Sequence, residues 1–201
     1  MADTTSQKRT AVLMDYSGSM SGLVRTTDGL ITRWQLALMI FQWIFDEIGG
    51  NISLIPFSTK YEVLEVTNGD PEVVDRQVRG MMGRMNSTVF YDPLYEALTA
   101  GIYDQVIMVS DGQGNGRNVT AEMVHEALSQ FPGRFEIIAV DLDKQRAPVY
   151  FDFLADLLYS FGKHYCFFPI NSGSNRIDVE AGEAVRKITL TREEWVDQWA
   201  L

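Results

Sequence analysis

Apolar runs of strand length alternate with helical patterns along most of this chain, and this alternation constrains the fold more than any other feature. The strongest strand candidates are residues 10–15, 52–57 and 103–110, which are apolar at nearly every position. Strands without polar alternation are typical of parallel sheets that helices cover on both faces. The pattern therefore predicts an α/β fold with a mostly parallel central sheet and helices on both faces.

Turn chemistry marks the ends of the helical patterns. Asp70 and Pro71 predict a helix start as N-cap and first helical residue, and Gly49 predicts the end of another helix. Residues 61–66 closely follow the strand at 52–57, so this pair predicts a hairpin that gives a Rossmann-like sheet one antiparallel edge strand. Helices are predicted at residues 31–48, 71–84, 92–100, 121–131 and 149–161, and further strands at residues 135–140 and 164–168.

The helix–strand pattern weakens near the C-terminus. It predicts a domain at residues 1–170 and a C-terminal extension at residues 171–201. Thr191 opens a capping box, so a short terminal helix should follow it. Trp195 and Trp199 share one face of that helix. A helix this short must pack on something, either the domain itself or a neighbouring subunit.

The charge balance and the absence of a long apolar segment exclude several functions. The chain of 201 residues carries 17 basic and 27 acidic side chains, a formal net charge of −10, which argues against nucleic-acid and anionic-membrane partners. The densest apolar stretch, residues 36–45, is too short to span a bilayer. The N-terminus lacks the apolar core of a signal peptide, and Cys166 is the single cysteine. We expect a cytoplasmic protein, or a component of a virion or secretion machine.

Oxygen-bearing side chains gather where the predicted strands stop. The first predicted strand ends at Asp15, and Ser17 and Ser19 lie in the loop after it. Thr88 precedes a predicted helix, and Asp111 directly follows the predicted strand at residues 103–110. Loops at the carboxyl ends of parallel strands meet at the edge where ligands bind. Two carboxylates and three hydroxyls suit Mg²⁺, Mn²⁺ or Ca²⁺ rather than Zn²⁺. The sequence therefore predicts a hard-cation site at this edge.

These five residues resemble the metal-ion-dependent adhesion site (MIDAS) of von Willebrand factor A (vWA) domains. The resemblance extends to three longer segments. Residues 52–59 (ISLIPFST) are similar to the family's second strand, residues 88–98 (TVFYDPLYEAL) to its Thr-x-x-Tyr-Asp-Ala-Leu segment, and residues 107–115 (IMVSDGQGN) to its strand ending in Ser-Asp-Gly. The similarity covers residues 10–168.

The resemblance implies a role for each of the five residues. Ser17 and Ser19 would ligate the metal directly, and Thr88 would do so directly or through water. Asp15 and Asp111 would act through bridging waters and accept hydrogen bonds from the hydroxyls. The ion would be Mg²⁺ or Mn²⁺, with Ca²⁺ ranked behind them. An Asp or Glu of a protein partner would complete its coordination shell.

The resemblance implies a non-catalytic, metal-dependent protein-binding module that belongs to a larger assembly. The chain departs from the family pattern on the rim of the site. Asn86 and Ser87 stand where many members carry Gly-Gly, and the loop at residues 20–32 is longer than in minimal members. The helix at residues 31–48 and the methionines at residues 81–85 are predicted to lie in the core, with a docking surface as the alternative for each.

Two alternative functions use the same residues. A Mg²⁺-dependent phosphoryl-transfer enzyme also places an Asp after its first strand. Such an enzyme needs a carboxylate or another nucleophile at the position of Ser17, and a lysine near the phosphate. The chain has no lysine between Lys8 and Lys60, and it has no P-loop motif. The second alternative is a structural assembly subunit with a degenerate metal site.

Overall fold

A six-stranded sheet is the centre of the fold in a computed structural model of the chain. The model describes five stretches, residues 9–49, 51–112, 117–142, 167–171 and 176–189. Three features of the sequence lie outside these described residues: the predicted helix at residues 149–161, Cys166, and the predicted terminal helix after Thr191.

The eight strands of the described chain are β1 (Thr10–Asp15), β2 (Leu23–Thr26), β3 (Gly29–Thr32), β4 (Ile52–Phe57), β5 (Leu64–Glu65), β6 (Gln105–Ser110), β7 (Arg134–Leu142) and β8 (Phe167–Asn171). In the six-stranded sheet the order is β5-β4-β1-β6-β7-β8. Every adjacent pair is parallel except β4 and β5, which are antiparallel. This order confirms the predicted α/β fold with a mostly parallel sheet and one antiparallel edge strand.

Capping side chains mark the starts of the first two helices. The Asp70 side chain accepts hydrogen bonds from the backbone N–H groups of Glu72 and Val73, as its position before Pro71 predicted. Thr32 forms a reciprocal capping box with Gln35 at the start of the first helix. The helices of the described chain are α1 (Arg33–Ile48), α2 (Pro71–Met82), α3 (Tyr91–Thr99), α4 (Ala121–Gln130) and α5 (Ile177–Thr189), with a 3₁₀ turn at Gly18–Ser21.

Helices cover both faces of the sheet because side chains alternate along its buried strands. On β1, Val12 and Met14 join a core with α1, α2 and α5, whereas Ala11 and Leu13 join a second core with α3 and α4. The β1 backbone is therefore fixed from both sides. This fixed strand ends at the candidate site.

The apolar helix and the methionine cluster both belong to the core. On α1, Trp34, Leu36 and Phe41 are fully or almost fully buried. Met82 is buried, and the neighbouring methionines 81 and 85 pack against the same core. Both core predictions are confirmed. Among the helices of the described residues, none is long and apolar enough to cross a membrane.

Two elements differ from the sequence prediction. The predicted loop at residues 20–32 contains an antiparallel hairpin of β2 and β3, whose tip is fixed by Thr27 hydrogen bonds to Asp178 of α5. The helix α5 lies in the segment predicted as an extension. It buries Ile177, Ala181 and Ile188 in the core that contains α1.

Candidate metal centre

Asp15 is the last residue of β1, and its carboxylate anchors the candidate centre. It is fully buried. One carboxylate oxygen, Oδ1, accepts the backbone N–H of Ser17 at 2.9 Å, and Oδ2 accepts the Ser110 hydroxyl at 2.6 Å. The carboxylate thus joins the loop after β1 to the last residue of β6.

A single 3₁₀ turn brings the two serines of the first loop together. The turn begins after Ser17, whose carbonyl accepts the N–H of Met20 at 3.1 Å. The side-chain oxygens of Ser17 and Ser19 then lie 2.8 Å apart. Ser17 is buried and Ser19 is half-buried, so the pair spans the boundary between the protein interior and solvent.

The backbone around Asn86 connects Thr88 to this centre. Gly18 donates its N–H to the Asn86 carbonyl at 2.7 Å, and Ser17 and Asn86 form a parallel bridge. Thr88 lies two residues further on and is buried. The next N–H, that of Val89, donates to Ser58 O at 2.6 Å. Thr88 is therefore positioned by backbone contacts with two neighbouring loops.

Asp111 directly follows β6, and its side chain is 1% exposed. It lies within electrostatic range of Asp15. The Arg33 guanidinium lies 3.2 Å from its Oδ2 and also donates to the Ser19 carbonyl at 2.9 Å. Among the described residues, direct hydrogen bonds therefore connect Asp15 with Ser17 and Ser110, and Ser17 with Ser19. Arg33 connects Asp111 to Ser19. Thr88 is connected to the centre through the backbone of the Asn86 loop.

Burial and, to a smaller extent, the negative charge of Asp111 raise the pKa of Asp15 to about 7. Hydrogen bonds from Ser110 and Ser17 oppose this rise only in part. The centre therefore holds two carboxylates whose mutual repulsion is poorly screened by water. A cation beside them would stabilise their ionised forms.

The donor set fits a hard divalent ion. Within the part of the chain that is described, no three His, Cys, Asp or Glu side chains cluster where they could hold a metal. A metal at this edge would therefore depend on serine and threonine hydroxyls, water and two carboxylates. These are all oxygen donors, which Mg²⁺ and Mn²⁺ prefer.

Two residues of the centre were not among the predicted ligands. Ser110 holds Asp15, and its Oγ also accepts the N–H of Gly112 at 2.9 Å. Its position directly before Asp111, at the end of a buried strand, was the signal that could have identified it. Arg33 directly follows the segment predicted as a loop at residues 20–32, and nothing in the sequence indicated that its side chain would contact Asp111.

Comparison with solved structures identifies which known fold this chain has. The vWA domain of SpRpn10 aligns with 87% of this chain and 93% of its own length, with a TM-score of 0.53 at 13% identity. The chain has a vWA-like fold. At such low identity, the similarity establishes the vWA-like fold and not the function.

Two further structures share the vWA-like fold. Proximal thread matrix protein 1 from the mussel byssus, solved with a zinc-occupied MIDAS motif, aligns over 91% of this chain and 47% of its own, with a TM-score of 0.52 and 12% identity. An aerotolerance-related membrane protein from Bacteroides fragilis aligns over 90% and 98%, with a TM-score of 0.55 and 11% identity. No protein-family model matches the chain. No curated protein has a significant match to it.

Proposed function

We propose that this chain is a non-catalytic protein-binding module whose interaction depends on Mg²⁺ or Mn²⁺, and that it works within a larger assembly. The observation that carries the proposal is the meeting of Asp15, Ser17, Ser19 and Asp111 at the carboxyl edge of a vWA-like sheet. Ser17, Ser19 and Thr88 supply hydroxyl ligands. The two aspartates hold bridging waters and orient the hydroxyls.

A carboxylate from a protein partner suits the remaining position of such an ion. The centre offers two carboxyl groups, and Arg33 offsets part of the negative charge at Asp111. A divalent ion held mainly by neutral hydroxyls and water retains most of its positive charge. The carboxylate of an Asp or Glu side chain would bind such an ion. The formal charge of −10 on the chain disfavours a nucleic-acid partner.

Metal binding should disappear when both carboxylates are removed. Calorimetric titration of the unaltered chain should show one Mg²⁺ or Mn²⁺ per molecule, and Asp15→Ala combined with Asp111→Ala should show none. The isosteric pair Asp15→Asn and Asp111→Asn guards against loss of the fold. Asp46→Ala with Glu47→Ala is the matched control, because it removes two carboxylates from the exposed end of α1.

Two results of this titration would contradict the proposal. Unchanged binding in the folded double variants would show that another site holds the metal. Saturation by Zn²⁺ alone, with no heat from Mg²⁺ or Mn²⁺, would show that the proposed ion is wrong; Zn²⁺ belongs in the series because a structural neighbour was solved with zinc in its motif. Circular dichroism of each variant verifies that the fold is intact.

Catalysis should be absent. A serine nucleophile needs an adjacent base, and Asp15, the carboxylate closest to the serines by hydrogen bonding, already accepts bonds from Ser17 and Ser110. His125 is exposed on α4. We expect hydrolysis of p-nitrophenyl phosphate and ATP at the background rate in Mg²⁺. A rate above background that Asp15→Ala abolishes would favour the phosphoryl-transfer enzyme instead.

A further inference from the structure

Arg33, the first residue of α1, directs its guanidinium into the candidate metal centre. Its Nη1 donates to the Ser19 carbonyl at 2.9 Å and lies 3.2 Å from Asp111 Oδ2. Its backbone N–H donates to the Gly22 carbonyl at 2.8 Å. One side chain therefore connects the loop after β1 with the residue after β6, and it brings a permanent positive charge.

The chain leaves space for this guanidinium. A Cβ built on Gly22 would lie 3.1 Å from Arg33 Nη1 and 3.2 Å from its Cζ, closer than most real Cβ contacts. The absence of a side chain at Gly22 thus keeps the position of the guanidinium open. The Arg33 side chain is 20% exposed and that of Asp111 is 1% exposed, so water screens this ion pair far less than a surface pair.

A divalent ion and Arg33 both favour the same carboxylate. Asp111 is one of the two negative charges at the centre, and the guanidinium already neutralises it at 3.2 Å. An incoming ion must either displace the guanidinium from Asp111 or bind beside a like charge. Either route costs free energy, because poorly screened charges a few ångströms apart interact strongly.

We propose that Arg33 is a built-in competitor of the metal ion: it pairs with Asp111 while no ion is bound, and it raises the metal concentration at which the centre fills. This inference rests on the proposed function, since it concerns the same metal centre. Arg33 thereby also holds the loop after β1 in place before the metal arrives. Partner binding would then begin only above a threshold of free metal.

The test is to remove the charge and to measure Mg²⁺ binding directly. Arg33→Gln should lower the Kd for Mg²⁺ by about tenfold or more, because the like charge is gone. In EDTA the same variant should melt at a lower temperature, because Asp111 loses its partner. Arg33→Lys keeps the charge and should keep the Kd near that of the unaltered chain. If Arg33→Gln does not fold, Arg33→Met retains the aliphatic stem and carries the same expectation.

Arg9→Gln is the matched control, because it also removes one arginine charge. Arg9 adjoins the opposite end of β1, where it pairs with Glu65. Its loss should leave the Kd for Mg²⁺ unchanged. A lower Kd in Arg9→Gln equal to that in Arg33→Gln would overturn the inference, because net charge alone would then explain the effect.

The outcomes separate this inference from the proposed function. If the unaltered chain binds Mg²⁺ and Arg33→Gln binds it equally or more weakly, the competitor role is wrong and the metal centre stands. If only Arg33→Gln binds Mg²⁺ at millimolar concentration, the competitor role is supported in its strongest form. If neither binds any of the tested ions, the proposed function fails, and the competitor role fails with it.

Discussion

Trp34→Ala should lower the free energy of unfolding by about 3–5 kcal/mol, which is the usual cost of removing a buried Trp or Phe side chain. Trp34 lies in the first turn of α1 and is 1% exposed. Its ring meets that of Tyr16 edge to face, with centroids 4.9 Å apart and planes at 75°. Its Nε1 donates to Asp75 of α2 at 2.7 Å. The substitution removes all of these contacts and opens a cavity.

This loss should also affect the candidate metal centre. Tyr16 lies between Asp15 and Ser17, and its hydroxyl donates to the Gly83 carbonyl after α2 at 3.1 Å. Without the indole, Tyr16 loses its edge-to-face partner, and the loop after β1 becomes less ordered. We therefore expect weaker Mg²⁺ binding by the folded fraction of Trp34→Ala.

Thermal unfolding in EDTA and in Mg²⁺ measures both effects. For a domain of this size, the loss of free energy corresponds to a decrease in Tm of roughly 6–20 °C. Trp34→Phe removes the hydrogen bond to Asp75 but keeps an aromatic ring in the core, so it should cost less than Trp34→Ala. Trp43→Ala makes the same truncation at a partly buried position of α1 and should cost less than Trp34→Ala. Equal Tm values for Trp34→Ala and Trp43→Ala would refute the packing argument.

The strand pattern predicted the sheet because its strands are buried on both faces. β1, β4 and β6 are continuous apolar runs, and continuous runs have few alternatives to a buried parallel strand. The hairpin of β2 and β3 gave no such signal, since its four-residue strands leave Leu23 and Leu30 exposed. Its shape depends on tertiary contacts with α5 that a local pattern does not contain.

The helix α5 did carry a local signal. Its buried residues Ile177, Ala181, Val185 and Ile188 are spaced by three or four positions, as in an amphipathic helix. Acidic side chains occupy its first turn and basic ones its last. The weak helix–strand pattern near the C-terminus obscures this periodicity, so the sequence predicts only an extension at residues 171–201.

The sequence predicts those residues of the candidate site that lie at the ends of recognisable strands. Asp15 and Asp111 end apolar strands, so sheet topology alone brings them to one edge. Arg33 could not be predicted, because its approach to Asp111 depends on the hairpin that separates β1 from α1. The two residues lie 78 positions apart in the sequence, so no local pattern relates them.

Glu136→Gln should make the protein progressively more stable, relative to the unaltered chain, as pH rises from about 5 to 8. Glu136 lies near the start of β7, at the sheet edge opposite the candidate metal centre, and is fully buried. Burial raises its pKa to about 7, although Arg134 and Gln105 oppose the rise. Its Oε1 is 2.8 Å from Arg134 Nη2 but has no aligned hydrogen bond within the described chain, and Oε2 accepts from Gln105 at 3.2 Å.

The direction follows from proton binding in the two states. Between pH 4.5 and 7 the folded chain keeps the proton on Glu136, whereas the unfolded chain has released it. Stability therefore decreases as pH rises through this window and levels off above pH 7. The full loss is on the order of 3 kcal/mol. A glutamine amide cannot ionise, so the Glu136→Gln variant avoids this loss.

Urea unfolding of both proteins in EDTA, at steps of pH between 4.5 and 8, measures the effect. The difference between the two free energies isolates Glu136, since the buried Asp15 titrates in both proteins. Glu47→Gln removes one carboxylate from the exposed end of α1 and controls for net charge. Because Glu136 lies at the edge away from the candidate metal centre, any Kd for Mg²⁺ should not change. Stability curves that run parallel across this pH range would show that Glu136 does not hold its proton in the folded chain.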